Sequence, residues 1–156
     1  MSRELLILWV GRHDREPWRG LCADYRKRIA RLAPVRDRQI RVRVDGGRRL
    51  EAERDAILTA LPDPVWLVAL DVQGEARDSV AFSRWLSGIQ TEWPHPLAFV
   101  VGSDAGLHGD VVARSRSRVS FGPMTLAHEL ARLVLYEQLY RALAIDRGIQ
   151  YHRAPF

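Results

Sequence analysis

Three short apolar runs, separated by segments of helical periodicity, restrict the folds open to this chain. Residues 5–10, 65–72 and 97–101 are almost unbroken apolar stretches of strand length. A strand that is apolar along its whole length is typical of a parallel sheet covered on both faces. The segments between the runs supply the covering helices. The pattern therefore predicts an α/β protein with a mainly parallel sheet and helices on both faces, in one domain over residues 1–156.

Helix boundaries follow from proline, glycine and apolar spacing. A first helix begins close to Pro17 and ends before Pro34, and a second ends before Pro62. The last helix is predicted over about residues 127–147, and Gly148 is placed as its stop signal.

Two further strands are predicted from weaker patterns. In residues 39–44 apolar and polar side chains alternate, which is the period of a half-buried strand. The polar face of that strand would carry Arg41 and Arg43. Residues 118–121 form the other predicted strand.

The net charge of +5 is concentrated in the first third of the chain. Residues 1–54 contain 15 Lys or Arg against 8 Asp or Glu, a balance of +7, whereas the remainder contains 9 against 11. Arginine clusters favour a polyanionic partner, because the guanidinium group matches phosphate oxygens. The alternative is that arginine-rich coding composition alone explains the excess. The candidate RNA-binding residues are Arg26, Lys27, Arg31, Arg41 and Arg43.

Cysteine content and hydropathy exclude several classes of protein. The single cysteine, Cys22, cannot form an internal disulfide or a cysteine cluster, so we expect no bound metal. Residues 5–10 are far too short to span a membrane, and no small-residue cleavage site follows them. We therefore expect a cytoplasmic protein without a membrane partner.

Ligands of open α/β sheets bind beyond the carboxyl ends of the strands, which directs attention to the loops after Leu70, Val101 and Phe121. Gly102 and Gly106 follow the strand at residues 97–101 and would let the backbone approach a ligand closely. Residues 121–126 place an apolar, hydroxyl-containing loop directly before the last helix, as in a pocket for a purine base. Taken alone, the glycines could simply form a turn, and the loop of residues 121–126 could pack under the helix.

The end of the chain carries two further signals. The last helix is apolar on more than one face, which indicates either a homodimer interface or full burial within a monomer. Glu137 and Arg141, four residues apart, are interpreted as a helix-surface pair. Beyond the helix, Tyr151, His152 and Arg153 combine a stacking ring, a titratable imidazole and a phosphate-binding guanidinium.

Together these segments resemble the ribosomal large-subunit methyltransferase H family, small members of the SPOUT class. The matching residues keep the family's order and spacing. They are Leu70, Asp71 and Gly74; Gly102 and Gly106; residues 121–126; His128; Leu139, Tyr140, Arg141 and Ala142; and Tyr151, His152 and Arg153.

The resemblance implies a C-terminal trefoil knot, S-adenosyl-L-methionine as cofactor, and methylation of N3 of a pseudouridine. The target would be a 23S rRNA stem-loop at the subunit bridge, within the large subunit or the assembled ribosome. The family's cofactor residues correspond to Leu70, Gly102, Phe121, Gly122, Pro123, Met124, Thr125 and Leu126. For catalysis we expect His152 as base or proton relay, Arg153 as anchor for phosphate or developing anion, Tyr151 as stacking ring, and His128 as second candidate base.

The chain departs from the family pattern at several positions. Ser103 stands where members usually have a second glycine, and Ala105 where they have an acid, with Asp104 one place earlier. Glu75 replaces a common Lys and Ala127 a common Pro. The alternative function is therefore a knotted, catalytically weakened protein that binds ribosomal RNA. A flavodoxin-like small-ligand domain would instead be a monomer without RNA affinity.

Overall fold

The computed structural model describes residues 3–153, which alternate strand and helix along the chain. The strands are β1 (Leu5–Val10), β2 (Val35–Ile40), β3 (Trp66–Ala76), β4 (Leu97–Val101) and β5 (Ser117–Ser120). The helices are α1 (Trp18–Ala30), α2 (Arg49–Ala60), α3 (Ser79–Glu92), α4 (Gly109–Arg114) and α5 (His128–Asp146), with a short 3-10 helix at Gly46–Arg48. Residues 1–2 and 154–156 lie outside the described residues.

The five strands form one parallel sheet in the order β2-β1-β4-β3-β5. Every residue of the neighbouring strands β1 and β4 is buried. This agrees with their composition, because a strand covered on both faces has no polar side to present to water. The predicted α/β fold with a parallel sheet is confirmed.

Helices cover both faces of the sheet. On one face Leu5 and Phe99 belong to a core that includes buried residues of α1, α3 and α5. On the other face Leu8 and Val100 belong to a core with Ile57 of α2 and Val111 of α4. Alternate side chains of each central strand therefore anchor opposite helical layers.

The prediction for β2 is wrong in its boundaries. The strand covers Val35–Ile40 rather than residues 39–44, because it pairs with β1 residue by residue from Leu5 and Val35 to Val10 and Ile40. The partner strand ends there, and Gly11 N–H donates to the Ile40 carbonyl at 3.1 Å as the last bond of the ladder.

The exposed face of β2 is cationic, but it carries Arg36 and Arg38. Arg41 and Arg43 are exposed in the segment that follows the strand. The alternation in residues 39–44 therefore indicated a half-buried cationic strand close to its true position, but residues 41–44 lie beyond the end of β2.

β3 runs beyond its apolar stretch and changes register against β5. The pairs that end at Leu70 and Val119 resume with Glu75 opposite Val119, so the intervening residues 71–74 leave the ladder. Such a bulge redirects the chain next to a sheet end. β5 begins one residue earlier than predicted and leaves Phe121 in the following loop.

Two helix ends have defined signals, and the one predicted at Gly148 is confirmed. The Asp78 carboxylate caps α3 by accepting a hydrogen bond from Ala81 N–H at 2.8 Å. Gly148 follows α5 with a φ of 69°, the left-handed conformation that glycine adopts without strain.

Much of the apolar surface of α5 is covered within the chain. Leu135, Leu139 and Leu143 are fully or almost fully buried in the core that α5 shares with α1 and α3. Leu130 near the start of the helix remains 36% exposed. The apolar surface available to a partner subunit is therefore confined mainly to the beginning of α5.

Gly74 provides a test of this packing. A Cβ atom at residue 74 would lie 2.7 Å from the Arg118 carbonyl carbon, so Gly74→Ala should displace β5. We expect the free energy of unfolding to fall by about 1–3 kcal/mol, as for other overpacked sites. Denaturant unfolding measures this loss. Gly47→Ala is the matched control, because a Cβ there has open space, and an equal loss in both variants would contradict the account.

Candidate active site

A cleft of about 840 Å³ lies at the carboxyl ends of β3, β4 and β5. Its walls come from residues 70–73, 101–107 and 119–131, and we call it the strand-end cleft. The structure brings most of the predicted cofactor residues to this cleft: Leu70, Gly102, Phe121, Gly122, Met124, Thr125 and Leu126. Pro123, also predicted, is in the same loop but is not part of the lining.

The loop after β4 is a tight turn closed by its own backbone. Gly106 N–H donates to the Ser103 carbonyl at 2.9 Å, and Gly106 has a φ of 81°. A Cβ at Gly102 would lie 2.7 Å from the Gly106 carbonyl oxygen. Gly102 is thus required by the turn itself, in addition to any approach of a ligand.

The loop after β5 combines a glycine of positive φ with apolar side chains. Gly122 has a φ of 113°, and its N–H donates to the Ser120 hydroxyl at 3.1 Å. Phe121 and Leu126 are half-buried at the cleft, whereas Met124 is 80% exposed. The loop therefore offers an apolar wall with one large apolar side chain facing solvent.

Carboxylates of the strand-end cleft have defined partners. Asp71 accepts a hydrogen bond from Gln73 N–H at 3.0 Å, which holds the bulge of β3. Asp104 pairs with Arg49, and this hydrogen bond lowers the pKa of the Asp104 carboxyl. Asp71 also pairs with Arg118 at 3.4 Å, so each of these two carboxylates has an arginine partner.

A second cleft of about 820 Å³ contains the end of the chain. Tyr151, His152 and Arg153 line it together with Arg77 of the β3–α3 connection and Arg141 of α5, and we call it the tail cleft. Val119, Phe121 and Gly122 line both clefts. The predicted catalytic residues are therefore divided, because His128 lines the strand-end cleft instead.

The imidazole of His152 is oriented by Arg141. Arg141 Nη1 lies 3.0 Å from His152 Nδ1, and a guanidinium group can only donate, so Nδ1 is the acceptor. The proton of the neutral ring then resides on Nε2. His152 in this arrangement can donate a hydrogen bond from Nε2, whereas its Nδ1 is occupied by Arg141.

Glu137 and Tyr151 complete this arrangement. Arg141 donates to Glu137 at 2.9 Å through Nε and at 3.1 Å through Nη2, which confirms the predicted pair. The Tyr151 hydroxyl contacts Tyr25 and Glu137. Burial is the largest cause that raises the pKa of Tyr151, and the hydrogen bond with Tyr25 raises it further. The pair therefore holds the tail, a function that its helical spacing alone did not reveal.

The candidate RNA-binding residues differ in exposure and in whether an ion pair already engages their charge. Arg26 is engaged in an ion pair with Asp37, at 2.9 Å, and so is not a free cation. Lys27 and Arg31 are exposed on α1 and just beyond it. Arg41 joins Arg38 at a shallow groove of about 520 Å³ between β2 and α2, and Arg43 is exposed nearby.

Fold and site define a class of protein: a parallel α/β protein with a ligand-sized cleft formed by glycine-containing loops at its strand ends. A family profile described as "Predicted SPOUT methyltransferase" matches residues 4–152. The chain belongs to the SPOUT methyltransferase family.

Individual relatives agree with this assignment. A Gluconacetobacter diazotrophicus protein named ribosomal RNA large subunit methyltransferase H is 43% identical, over 95% of this chain and 96% of its own length. This confirms the resemblance found in the sequence motifs.

Solved structures support the fold. A probable methyltransferase from Bordetella pertussis superposes with a TM-score of 0.56 at 15% identity, covering 91% of this chain and 95% of its own. A Legionella pneumophila putative methyltransferase, in complex with the bound cofactor SAM, gives 0.50 at 10% identity, covering 90% and 67%.

No helix within residues 3–153 is long and apolar enough to cross a membrane. Within the same residues, His, Cys, Asp and Glu side chains do not form a group of three that could hold a metal ion.

Gly102→Ala tests whether the turn after β4 forms the cofactor site. The added Cβ would collide with the backbone of Gly106, so we expect S-adenosylhomocysteine affinity to fall at least about tenfold while the chain remains folded, in line with the cost of overpacking. Titration calorimetry measures the affinity. Gly109→Ala is the control, because a Cβ there meets nothing. Unchanged affinity in Gly102→Ala would remove this loop from the site.

Proposed function

We propose that this chain methylates large-subunit ribosomal RNA in the cytoplasm, using S-adenosylmethionine. The proposed target is N3 of a pseudouridine in a 23S rRNA stem-loop at the subunit bridge. The observation that carries the proposal is the common wall of Val119, Phe121 and Gly122 between the strand-end cleft and the tail cleft. Because this wall separates the tail of one chain from its own strand-end cleft, the tail that acts on a cofactor there would be the partner's.

The residues of the strand-end cleft fit the proposed cofactor. Its volume of about 840 Å³ lies within the range of small-molecule sites. Leu70, Phe121 and Leu126 provide an apolar wall for an adenine ring. Asp71 and Asp104 provide carboxylates for a ligand with an amino group and ribose hydroxyls.

The relatives support the choice of cofactor and substrate. The Gluconacetobacter protein is named for methylation of large-subunit ribosomal RNA. The Legionella structure contains the bound cofactor SAM. Both properties transfer to this chain as proposals that the shape and composition of the strand-end cleft support.

Bound S-adenosylmethionine would supply an electrophilic methyl group on its sulfonium, and N3 of the acceptor must lose a proton as it takes that methyl. The chain has to align the acceptor and stabilise the negative charge that develops on its ring. We assign this stabilisation to the Nε2–H of His152 and to Arg153, since Arg141 fixes the tautomer of His152. His128, which lines the strand-end cleft, is the proposed proton acceptor.

The proposal includes a homodimer, because one chain keeps its tail in the tail cleft and not over the strand-end cleft. The exposed Met124 lines the strand-end cleft, and the exposed Leu130 lies near the start of α5 between the lining residues Glu129 and Ala131. Apolar residues at the rim of a site suit a subunit interface. A partner's tail could then complete the site.

The proposal also includes the knot of the family within one domain. After α5 the chain turns back, so that Tyr151, His152 and Arg153 lie in the same cleft as Arg77 and Ser79, which precede and begin α3. The knot itself is proposed from membership of the family, and this return of the tail to the β3–β5 edge does not conflict with it.

The direct experiment is transfer of labelled methyl to ribosomes that lack the modification. We expect incorporation at one 23S rRNA nucleotide, with the label on N3 of a pseudouridine. Ribosomes that already carry the mark are the control. S-adenosylhomocysteine binding without any transfer would favour the alternative, a ribosome-binding protein that has lost turnover.

Replacement of His152 tests whether this residue acts as a hydrogen-bond donor or as the general base. Loss of one preorganised donor typically costs about a hundredfold to a thousandfold in rate, so His152→Ala should show that loss. His152→Gln keeps a donor that cannot titrate and should recover most of the rate. Single-turnover methyl transfer at saturating cofactor measures both. Equal losses in the two variants would restore His152 as the general base.

The same variant tests whether the tail acts in the partner's site. A heterodimer of one His152→Ala chain and one Gly102→Ala chain has one site with both parts intact only if the tail crosses the interface. We expect it to recover activity that neither homodimer has. Verified heterodimers without recovery would restrict the tail to its own chain.

The exposed arginines after β2 should provide sequence-independent RNA affinity. Arg41 and Arg43 are exposed, and no ion pair engages either within residues 3–153. Removal of one cation that binds a phosphate should reduce the slope of log affinity against log salt by about one. Arg41→Ala with Arg43→Ala should therefore reduce the slope by about two, as measured by filter binding over a salt series.

The matched control removes the same amount of positive charge from another part of the surface. Arg84→Ala with Arg114→Ala removes two exposed arginines from α3 and α4. If both pairs reduce the slope equally, the excess charge of the first third acts only through net charge and not through a defined surface.

A further inference from the structure

The turn after β4 is fixed to α2 by a buried carboxylate. Glu53, in the middle of α2, is only 2% exposed. Its Oε1 accepts a hydrogen bond from the Ser103 hydroxyl at 2.8 Å, and its Oε2 accepts one from Arg49 Nε at 3.0 Å. Both carboxylate oxygens are thus engaged, one by the turn and one by the helix itself.

A buried carboxylate is costly unless it is paired and hydrogen-bonded. Glu53 lies one turn of helix from the core residue Ile57, where an apolar side chain would pack without this cost. The hydrogen bond to Ser103 spans 50 residues of sequence and adds nothing to α2 as a helix. The position of Glu53 is therefore explained by the turn that it holds.

The Ser103 hydroxyl transmits this anchor into the turn. It donates to Glu53 and accepts from Ala105 N–H at 3.2 Å, which fixes the backbone between Gly102 and Gly106. Arg49 extends the anchor, because it bridges the buried Glu53 and the exposed Asp104. A turn with glycine at both ends is otherwise free to sample several conformations.

The far end of the same loop is attached to α2 as well. Arg54 donates to Asp110 Oδ2 at 3.0 Å and contacts His108 Nε2 at 3.4 Å. His108 in turn caps α4, because its Nδ1 accepts a hydrogen bond from Asp110 N–H at 3.0 Å. One helix therefore holds the loop at residues 103, 104, 108 and 110.

We propose that Glu53 is a positioning residue that holds the turn of residues 102–106 in its cofactor-binding conformation before the cofactor arrives. The inference rests on the proposed cofactor site in the strand-end cleft. Glu53 does not line that cleft, so its effect must pass through Ser103 and the backbone. Preorganisation of a binding loop raises affinity by removing the cost of ordering it.

Glu53→Gln tests the proposal with little change of shape. The amide replaces one acceptor oxygen by a donor NH2 group, so one of the two present hydrogen bonds is lost or reversed. We expect S-adenosylhomocysteine affinity to fall about tenfold, the scale of one charge-assisted hydrogen bond. Ser103→Ala should give a similar loss. The double variant should lose little more than either single variant, because both break the same anchor. Glu51→Gln, exposed on the same helix, should leave affinity unchanged.

Amide hydrogen exchange distinguishes positioning from general destabilisation. In Ser103→Ala the amides of Ala105 and Gly106 should exchange faster, while amides of β1 and β4 keep their protection. If Glu53→Gln unfolds, Ser103→Ala with this exchange pattern still decides the question. Strictly additive losses, or unchanged affinity in Ser103→Ala, would overturn the proposal.

Gly102→Ala separates failure of this inference from failure of the cofactor site. Loss of affinity in Gly102→Ala with normal affinity in Glu53→Gln and Ser103→Ala would keep the site and reject the anchor. Normal affinity in all three variants would reject both.

Discussion

Burial of a parallel sheet on both faces is the constraint on which the rest of this structure depends. β1 and β4 present no exposed residue, so helices must cover each side and every connection must return over the sheet. In a parallel sheet the carboxyl ends of neighbouring strands meet at one edge. The loops after β4 and β5 and the bulge of β3 consequently form one cleft, although the sequence separates them widely.

Buried charge adds a second level of organisation to the apolar layers. Arg132 of α5 is 6% exposed, and its Cζ lies 3.7 Å from the centroid of the Trp9 ring. Its Nη1 donates a hydrogen bond to Asp14 Oδ1 at 3.0 Å. Tyr136, one helical turn further along α5, donates to Asp37 of β2. Burial is the largest cause that raises the pKa of Tyr136, and the negative charge of Asp37 raises it further. These interactions connect α5 with the first two strands and hold the start of α5 beside the strand-end cleft.

Elements fixed by local pattern could be predicted from the sequence, whereas contacts between distant segments could not. The apolar runs of β1 and β4 gave correct boundaries because burial on both faces leaves no alternative pattern. β2 was misplaced because the alternation of residues 39–44 lies mostly beyond the strand, whose end is set by pairing with β1. The motifs included most of the loop residues that line the strand-end cleft. No local signal predicted that Glu53 would anchor Ser103, 50 residues away. The tail residues were found as a motif, but their orientation by Arg141 required the structure.

The central claim is that three segments from different strands form one cofactor site. Hydrogen exchange of the intact protein with and without S-adenosylhomocysteine tests this claim most directly. The account predicts binding with slowed exchange in residues 70–73, 102–107 and 121–128, and unchanged exchange in residues 36–43. Protection restricted to one of these segments, or located on the face that contains Arg36 and Arg38, would contradict it.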